Sequence, residues 1–295
     1  MERRKRRVLV TAPMSYAPRL AKELEEVGVE AVLLPTIETV LFSEDDERRV
    51  LLNEEIKRAN ECDWVLFTSR NGVRGVLEAA GGKQGLDIPV RFTAIGKDVQ
   101  LLEESGIKVD LIPVTPSPGG MVEELRRWYA DKEKENMGKS QGEPGIQPHE
   151  EDDNGNLSRI VLVPAPIVEE LPEPDVIPSF IRDLEAENLT VRRVGAYVTR
   201  PTVGEGKELT PERRKALHAL RDGEVDLVAF SSTAEITALL KAITRSELEQ
   251  STKIGCFGPI TAGNAKELGL DVVVISKDFS SFRGYAKAIT DFFAR

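Results

Sequence analysis

The residues best placed to bind a ligand are hydroxyl-bearing turns that follow short apolar runs. They form two corresponding pairs about 160 residues apart: Thr68-Ser69-Arg70-Asn71-Gly72 with Ser231-Ser232-Thr233, and Gly96-Lys97-Asp98 with Gly258-Pro259-Ile260-Thr261. Each turn lies where a buried strand is expected to pass into a helix, so free backbone N–H groups and hydroxyls would face solvent. Such groups suit carboxylates or phosphates. Helix capping is the simpler explanation of any single turn, but four turns in two repeated segments favour a shared ligand site.

A tyrosine is the second candidate for chemistry. Tyr197 lies within residues 194–201, a short strand-like run that ends at a proline, and its counterpart in the other repeat is Ile37. A phenol can donate a proton to a leaving oxygen or hold a polar ligand. The alternative is a half-buried strand tyrosine that only packs.

The composition excludes several classes of site and of protein. Among 295 residues there are 50 acidic and 40 basic side chains, two histidines and two cysteines. This excludes a disulfide framework and a multi-histidine or four-thiolate metal site, so we predict no bound metal. The acidic excess argues against nucleic-acid binding. No apolar run approaches ~18 residues, which predicts no membrane span.

The chain repeats itself, and the repeat predicts the fold. Residues 63–69 match 226–232, residues 106–109 match 269–272, and residues 8–13 match 161–166. Apolar runs that are typical of strands buried on both faces alternate with amphipathic stretches that end at glycine. This alternation predicts an α/β protein with parallel sheets, whose ligands bind at the carboxyl ends of the strands.

One segment breaks the alternation of apolar runs and amphipathic stretches. Residues 130–158 are acidic and almost free of apolar side chains. We predict a disordered surface insertion there, with an acidic partner-binding segment as the alternative.

The basic N-terminal run lacks the apolar region that a secretory signal would have. We expect the protein in the cytoplasm, or in the plastid stroma if a transit peptide has been removed.

The order and spacing of these motifs resemble the uroporphyrinogen-III synthase family over nearly the whole chain outside 130–158. The segments that carry the resemblance are 8–13 with 20–28, 64–73, 94–96 with Gly106, 196–199, 230–232, and 258–262 with Gly269. The resemblance implies two flavodoxin-like α/β domains joined by a two-stranded ladder, with the substrate in the cleft between them. Residues 1–36 and 202–295 would form one domain, residues 42–194 the other, and residues 37–41 and 195–201 the linking strands.

The resemblance also implies a reaction and a site. Members of the family convert linear hydroxymethylbilane into a macrocycle, with loss of water and inversion of the last pyrrole ring, and they need no cofactor. Tyr197 would assist departure of the hydroxyl. Apart from the resemblance, no feature of the sequence indicates an oligomer interface, so we expect a monomer. The linear tetrapyrrole would be bound by Thr11, Thr68, Ser69, Arg70, Asn71, Gly96, Lys97, Ser231, Ser232, Thr233, Gly258 and Thr261.

Two departures from the family pattern keep other hypotheses open. The family usually has arginine where this chain has Ala12, and threonine where it has Val99. Two polar positions expected at the cleft are thereby lost. The alternatives are a catalytically silent homologue that binds a tetrapyrrole or another anion, and a two-lobed small-anion-binding sensor.

Overall fold

A computed structural model describes residues 4–138, 159–279 and 281–295. The chain divides into two compact units. Unit 1 consists of Met1–Thr39, Val168–Glu173 and Thr199–Arg295, and unit 2 consists of Val40–Ile167 and Pro174–Val198.

Strands and helices alternate along the described residues. The strands are β1 (Arg7–Val10), β2 (Glu30–Leu33), β3 (Ile37–Val40), β4 (Trp64–Phe67), β5 (Arg91–Ala94), β6 (Ile160–Val168), β7 (Thr190–Pro201), β8 (Leu227–Phe230), β9 (Lys253–Cys256) and β10 (Val272–Ile275). The α-helices are α1 (Ala17–Glu26), α2 (Glu47–Lys57), α3 (Arg70–Ala79), α4 (Asp98–Glu104), α5 (Pro118–Gly138), α6 (Val176–Ala186), α7 (Pro211–Arg221), α8 (Thr233–Leu239), α9 (Arg245–Ser251), α10 (Pro259–Glu267) and α11 (Phe282–Phe293). Short 3-10 helices cover Ala59–Glu61 and Lys83–Leu86. None of the described helices is long and apolar enough to cross a membrane.

The sheet of unit 1 has the flavodoxin strand order. Its order is β10-β9-β8-β1-β2, and β1 pairs in parallel with both β2 and β8. When the five strands are numbered in chain order within the unit and the sheet is read from β2 to β10, the order is 2-1-3-4-5. Successive residues of the central strands reach opposite cores, because Leu9 packs in one apolar cluster while Val8 and Val10 pack in the other. Burial on both faces explains why these strands are continuous apolar runs.

The sheet of unit 2 repeats this order, but the strands in the first two positions, β6 and β7, come after β4 and β5 in the chain. Its order is β3-β7-β6-β4-β5, and β4 pairs in parallel with β5 and β6. A parallel bridge from Thr93 to Leu111 extends the sheet beyond β5. Val65 and Phe67 pack in one core cluster and Trp64 and Leu66 in another, as expected for a strand covered on both faces. The parallel α/β fold class predicted from the sequence is therefore confirmed.

The strand order fixes where ligands are expected in each unit. In unit 1 the order reverses between β1 and β8, and in unit 2 it reverses between β6 and β4. Ligands of open α/β sheets bind at the carboxyl ends of the strands that flank such a reversal. Thr11 follows β1, Ser231 follows β8 and Thr68 follows β4, so each of these residues lies at such a strand end.

The predicted start of the disordered insertion is wrong. Residues 130–138 continue α5, which ends at Gly138. Residues 131–134 are charged and exposed, which explains the low apolar content of this stretch. Lys134 lies 3.2 Å from Asp131, and Arg159 pairs with Glu133. Residues 139–158 lie outside the described part of the chain.

Candidate active site

The strand ends of unit 2 bring a serine and the predicted tyrosine together. Ser69 follows β4 and caps α3, where its Oγ accepts a hydrogen bond from the Gly72 amide at 3.1 Å. The same oxygen lies 3.1 Å from the phenolic oxygen of Tyr197 on β7. Tyr197 is 7% exposed, so its ring is held in the core.

Two glycines of α3 allow this approach. A Cβ atom at Gly72 would lie 3.2 Å from the carbonyl oxygen of Pro164 on β6, and one at Gly75 would lie 2.1 Å from that of Ala196 on β7. The second distance is far below any real carbon contact, so only glycine lets the helix pack directly on the strand backbone. The first turn of α3 is thereby held beside the residue that follows Ala196, which is Tyr197.

The Ser69–Tyr197 contact places a phenol beside a second hydroxyl. One O–H of the pair donates to the other oxygen, and either residue can be that donor. The Gly72 amide also donates to the serine oxygen, so the orientation of Ser69 is set by the start of α3. A phenol coupled to a fixed hydroxyl can give up a proton and recover one through the same contact, as a proton donor requires.

A partly buried ion pair lies at the neighbouring strand end. Arg70 Nε is 3.6 Å from Asp98 Oδ1 in the first turn of α4. Burial raises the pKa of Asp98 to about 6, while Arg70 and Arg74 act in the opposite direction. Lys97 is exposed just before Asp98. Asp98 is a charged group of the site that the sequence indicated only as part of a turn.

The turn that precedes α4 depends on a glycine. Gly96 has a φ of +57°, a conformation that side chains rarely adopt. Asn71 is half-buried in the first turn of α3, and Thr68 is half-buried between β4 and Ser69.

The strand ends of unit 1 surround a buried carboxylate. Glu235 on α8 is 1% exposed. Its Oε2 accepts from Thr11 Oγ1 and from the Ser231 amide, both at 2.8 Å. Its Oε1 accepts from Ser232 Oγ at 3.1 Å and from the Ser231 hydroxyl. Burial raises the pKa of Glu235, and these hydrogen bonds oppose that shift.

The spacing of Ser232 and Glu235 is that of a helix capping box, but the structure forms a different arrangement. Ser232 is the N-cap of α8, yet its side chain makes no capping hydrogen bond. It donates to the Glu235 carboxylate instead. The carboxylate is drawn inward because Thr11, 224 residues away in sequence, also donates to it.

Further hydroxyls hold the same region together. Thr36 Oγ1 donates to the Glu235 carbonyl oxygen at 3.1 Å, and Thr202 Oγ1 donates to the Pro35 carbonyl oxygen at 2.5 Å. Asn264 Nδ2 donates to Thr233 Oγ1 at 2.7 Å. These contacts fix the backbone around the ends of β1 and β8.

The predicted ligand residues of unit 1 thus differ in access. Ser231, Ser232 and Thr233 are half-buried, whereas Thr11 is fully buried and Thr261 is 8% exposed. Thr261 Oγ1 donates to the Ser231 carbonyl oxygen at 3.4 Å, and Gly258 is the N-cap of α10.

The two departures from the family pattern lie in the cores. Ala12 is fully buried in a cluster of unit 1, and Val99 is 8% exposed in a cluster of unit 2. Both side chains pack against apolar neighbours. Within the described residues, no group of three or more His, Cys, Asp or Glu is arranged to hold a metal ion.

A family model and curated relatives match the chain to one family. The chain matches the family model of "Uroporphyrinogen-III synthase HemD" over residues 18–141 and 171–283. Uroporphyrinogen-III synthase of Chlorobaculum parvum is 23% identical over 290 residues, which cover 96% of this chain and 98% of that protein. Porphyrin biosynthesis protein HemD of Ruminiclostridium josui is 23% identical over 276 residues, or 92% of this chain, and the match spans 46% of that protein.

A solved structure shares the fold. A mutant uroporphyrinogen III synthase from Thermus thermophilus superposes with a TM-score of 0.57 at 18% identity, covering 97% of this chain and 99% of that one. The family match extends over more than half of the sequence and includes segments of both units. The chain therefore belongs to the uroporphyrinogen-III synthase family, as the sequence predicted.

Proposed function

We propose that the chain is a uroporphyrinogen-III synthase of tetrapyrrole biosynthesis, a cyclising lyase acting on linear hydroxymethylbilane. The family match over residues 18–141 and 171–283 supports this activity. So does the relative from Chlorobaculum parvum, which is matched over nearly its whole length. The observation that carries the chemistry is the 3.1 Å contact between the Tyr197 phenol and Ser69.

In this proposal Tyr197 is the catalytic residue. Its phenolic proton passes to the hydroxyl of the substrate's hydroxymethyl group, which leaves as water and turns the terminal ring into an azafulvene. The last pyrrole ring attacks through a spiro intermediate, inverts and closes the macrocycle, and a proton lost from the ring carbon restores the phenol. The balance is one bilane to one macrocycle and one water. The rest of the rate enhancement comes from holding a flexible chain in the inverting geometry.

The substrate-binding residues of the proposal fall into two groups. Unit 2 supplies Thr68, Ser69, Arg70, Asn71, Gly96 and Lys97, and unit 1 supplies Thr11, Ser231, Ser232, Thr233, Gly258 and Thr261. Arg70 and Lys97 add positive charge for the substrate's carboxylates. Thr11 and Thr261 are buried, so they act by positioning the half-buried hydroxyls beside them.

The alternative of a silent homologue loses its main support. It rested on Ala12 and Val99 as missing polar contacts, but both side chains are buried in apolar cores. A polar side chain at either position would need a partner inside the core rather than a ligand. We therefore favour an active enzyme over a silent binder or a two-lobed sensor.

Product analysis tests the proposal. Purified protein is given freshly prepared hydroxymethylbilane, and the type I and type III macrocycles are separated. We expect the type III product to predominate. Spontaneous closure gives only the type I product, so a mixture no different from the protein-free control would contradict the proposed function.

The remaining parts of the proposal concern the state of the protein. We propose a cofactor-free monomer with no nucleic-acid partner, located in the cytoplasm or the plastid stroma. We also propose the domains implied by the family resemblance, 1–36 with 202–295 and 42–194, linked by 37–41 and 195–201. Light scattering on a gel-filtration column tests the monomer, and limited proteolysis tests the boundaries.

A further inference from the structure

Phe279 is the one exposed aromatic side chain among the described residues. It lies in the loop that follows β10 and is 52% exposed. Phe257 and Phe282, on neighbouring elements, are half-buried and contact each other with 5.4 Å between their ring centroids. A single exposed apolar side chain is common on protein surfaces, but this ring is held in place and lies at the edge of the sheet where ligands are expected.

The loop that carries Phe279 is anchored on both sides. Ser276 is 2% exposed, and its Oγ donates to the Asp278 carbonyl oxygen at 2.6 Å. Ser281 Oγ donates to the Asp278 carboxylate at 2.7 Å and accepts from the Gly284 amide at 3.1 Å, which joins the loop to α11. An aromatic ring on such a backbone loses little conformational freedom when it binds a ligand, because its surroundings are already ordered.

Gly258 makes room for the ring. A Cβ atom at Gly258 would lie 3.3 Å from Phe279 Cβ and 3.5 Å from its Cγ, so a side chain there would push the ring away. The φ of Gly258 is −151°, an extended conformation that any residue adopts, so the backbone itself does not require glycine. The missing side chain instead lets Phe279 pack directly on the turn after β9, one of the turns that the sequence predicts to bind a ligand.

The strand order places the ring at the same edge as the predicted ligand turns of unit 1. Since β1, β8, β9 and β10 are parallel neighbours, their carboxyl ends lie together. Two strand spacings, about 10 Å, separate the end of β10 from the end of β8, where Ser231 and Ser232 lie. Lys277 and Arg283, which flank Phe279 in sequence, are exposed cations. An aromatic surface, hydroxyls and positive charge therefore share one edge of the sheet.

We propose that Phe279 is a specificity-determining residue that packs against a pyrrole ring of the linear tetrapyrrole, and that Gly258 is the positioning residue that makes room for it. The inference rests on the proposed function. The residues already proposed to bind the substrate offer hydroxyls, amides and cations for its carboxylates, and none of them is aromatic. A pyrrole is aromatic, and offset or edge-to-face pairs of aromatic rings stabilise a contact beyond the area that they bury.

Binding of two small probes tests this inference without turnover. The probes are a monopyrrole carrying one acetate and one propionate arm, and a cyclopentane carrying the same two arms, which keeps both carboxylates but is not aromatic. The amide signals of Gly258 and Phe279 are followed by NMR during titration. We expect the pyrrole to shift both signals and to bind about fivefold more tightly than the cyclopentane. Equal affinities, or no shift with either probe, would overturn the proposal.

The variant Phe279→Leu removes the aromatic ring and keeps an apolar side chain. We expect the preference for the pyrrole probe to disappear, and KM for hydroxymethylbilane to rise about fivefold with kcat little changed. The free energy of unfolding in urea should stay the same, because the ring is exposed. An unchanged preference or an unchanged KM would contradict the proposal.

Two further variants complete the experiment. Gly258→Ala should raise KM about twofold, because the added Cβ displaces the Phe279 ring. In the Phe279→Leu background it should raise KM no further, and additive effects would overturn the role given to Gly258. Leu268→Ala truncates an exposed apolar side chain at the end of α10 and should leave both readouts unchanged. The product analysis is separate, so formation of the type III product can fail while the preference for the pyrrole holds, or the reverse.

Discussion

The phenolic oxygen of Tyr197 lies 3.1 Å from Ser69 Oγ, although 128 residues separate the two in sequence. One belongs to the long strand β7 and the other to the turn between β4 and α3. Their contact joins the predicted proton donor to a predicted substrate-binding turn. It also gives the proposed mechanism its most direct test.

Replacing Tyr197 by phenylalanine should lower kcat for the type III product by about 100-fold, because general acid assistance contributes roughly 10²–10⁴. Substrate binding should change little, since the ring remains in place. Steady-state kinetics with separation of the two product types measures the effect. Tyr129→Phe, which removes a hydroxyl from another core cluster of unit 2, should retain full activity. An unchanged rate in Tyr197→Phe would remove the tyrosine from the mechanism.

Replacing Gly75 by alanine should destabilise the protein by about 1–3 kcal/mol and reduce kcat. The added Cβ would lie 2.1 Å from the Ala196 carbonyl oxygen, so α3 must move away from β7 and carry Ser69 with it. Chemical denaturation and product formation measure the two effects.

A matched helical glycine serves as the control for Gly75. A Cβ at Gly263 in α10 meets no atom within 4 Å. Alanine there should stabilise the helix by about 0.5–1 kcal/mol and leave activity intact. If both variants behaved alike, close helix–strand packing would not be what positions Ser69.

Asp98 should make stability depend on pH. Its pKa is raised from 3.8 to about 6, mainly by burial. The folded protein therefore holds the proton more tightly than the unfolded chain, and stability falls as pH rises from about 4 to about 6. Asp98→Asn should remove about 1–2 kcal/mol of this fall, measured by urea unfolding at several pH values.

Asp46 provides a comparison of opposite sign. Hydrogen bonds from Arg48 lower the pKa of this N-cap carboxylate. Its contribution to stability is present above the pKa of the unfolded chain and is lost as pH falls through the lower folded value. Asp46→Asn should therefore weaken the protein at neutral pH and have little effect in acid. If both substitutions changed the pH dependence of the free energy of unfolding in the same direction, these assignments would be contradicted.

The two cysteines should be unreactive in the folded protein. Burial raises the pKa of Cys62 to about 11 and that of Cys256 to about 12. At pH 8 only about one Cys62 thiol in a thousand is ionised, and the thiolate is the reactive form. A chromogenic disulfide reagent should titrate no thiols in native protein and two after denaturation. Rapid native labelling with loss of activity would contradict the burial of these side chains.

The sequence repeat predicted the alternation of strands and helices because each repeated segment carries its own apolar run and turn. The runs at residues 8–10, 65–67 and 272–275 all lie in strands. Local composition was less reliable for residues 130–138, where mostly charged and polar residues continue α5. Solvated helix ends and disordered segments share a composition, so sequence alone does not separate them.

The site was predicted as a set of residue types, but not as a network. Ser231, Ser232 and Glu235 are close in sequence, and the spacing of Ser232 and Glu235 is that of a capping box. The actual arrangement depends on Thr11, which only the pairing of β1 with β8 brings to the carboxylate. No local pattern contains that information.

The pairing of Val8 with Leu227 has a consequence for synthesis of the chain. The N-terminal strand of unit 1 leaves the ribosome first, yet its partner β8 follows more than 200 residues later. Unit 2 is complete once Val198 has emerged, whereas unit 1 must wait for β10 and α11. Non-local pairing of this kind folds slowly and leaves strand edges unpaired in the meantime. During synthesis, unit 1 is therefore the part of the protein whose strand edges stay unpaired longest.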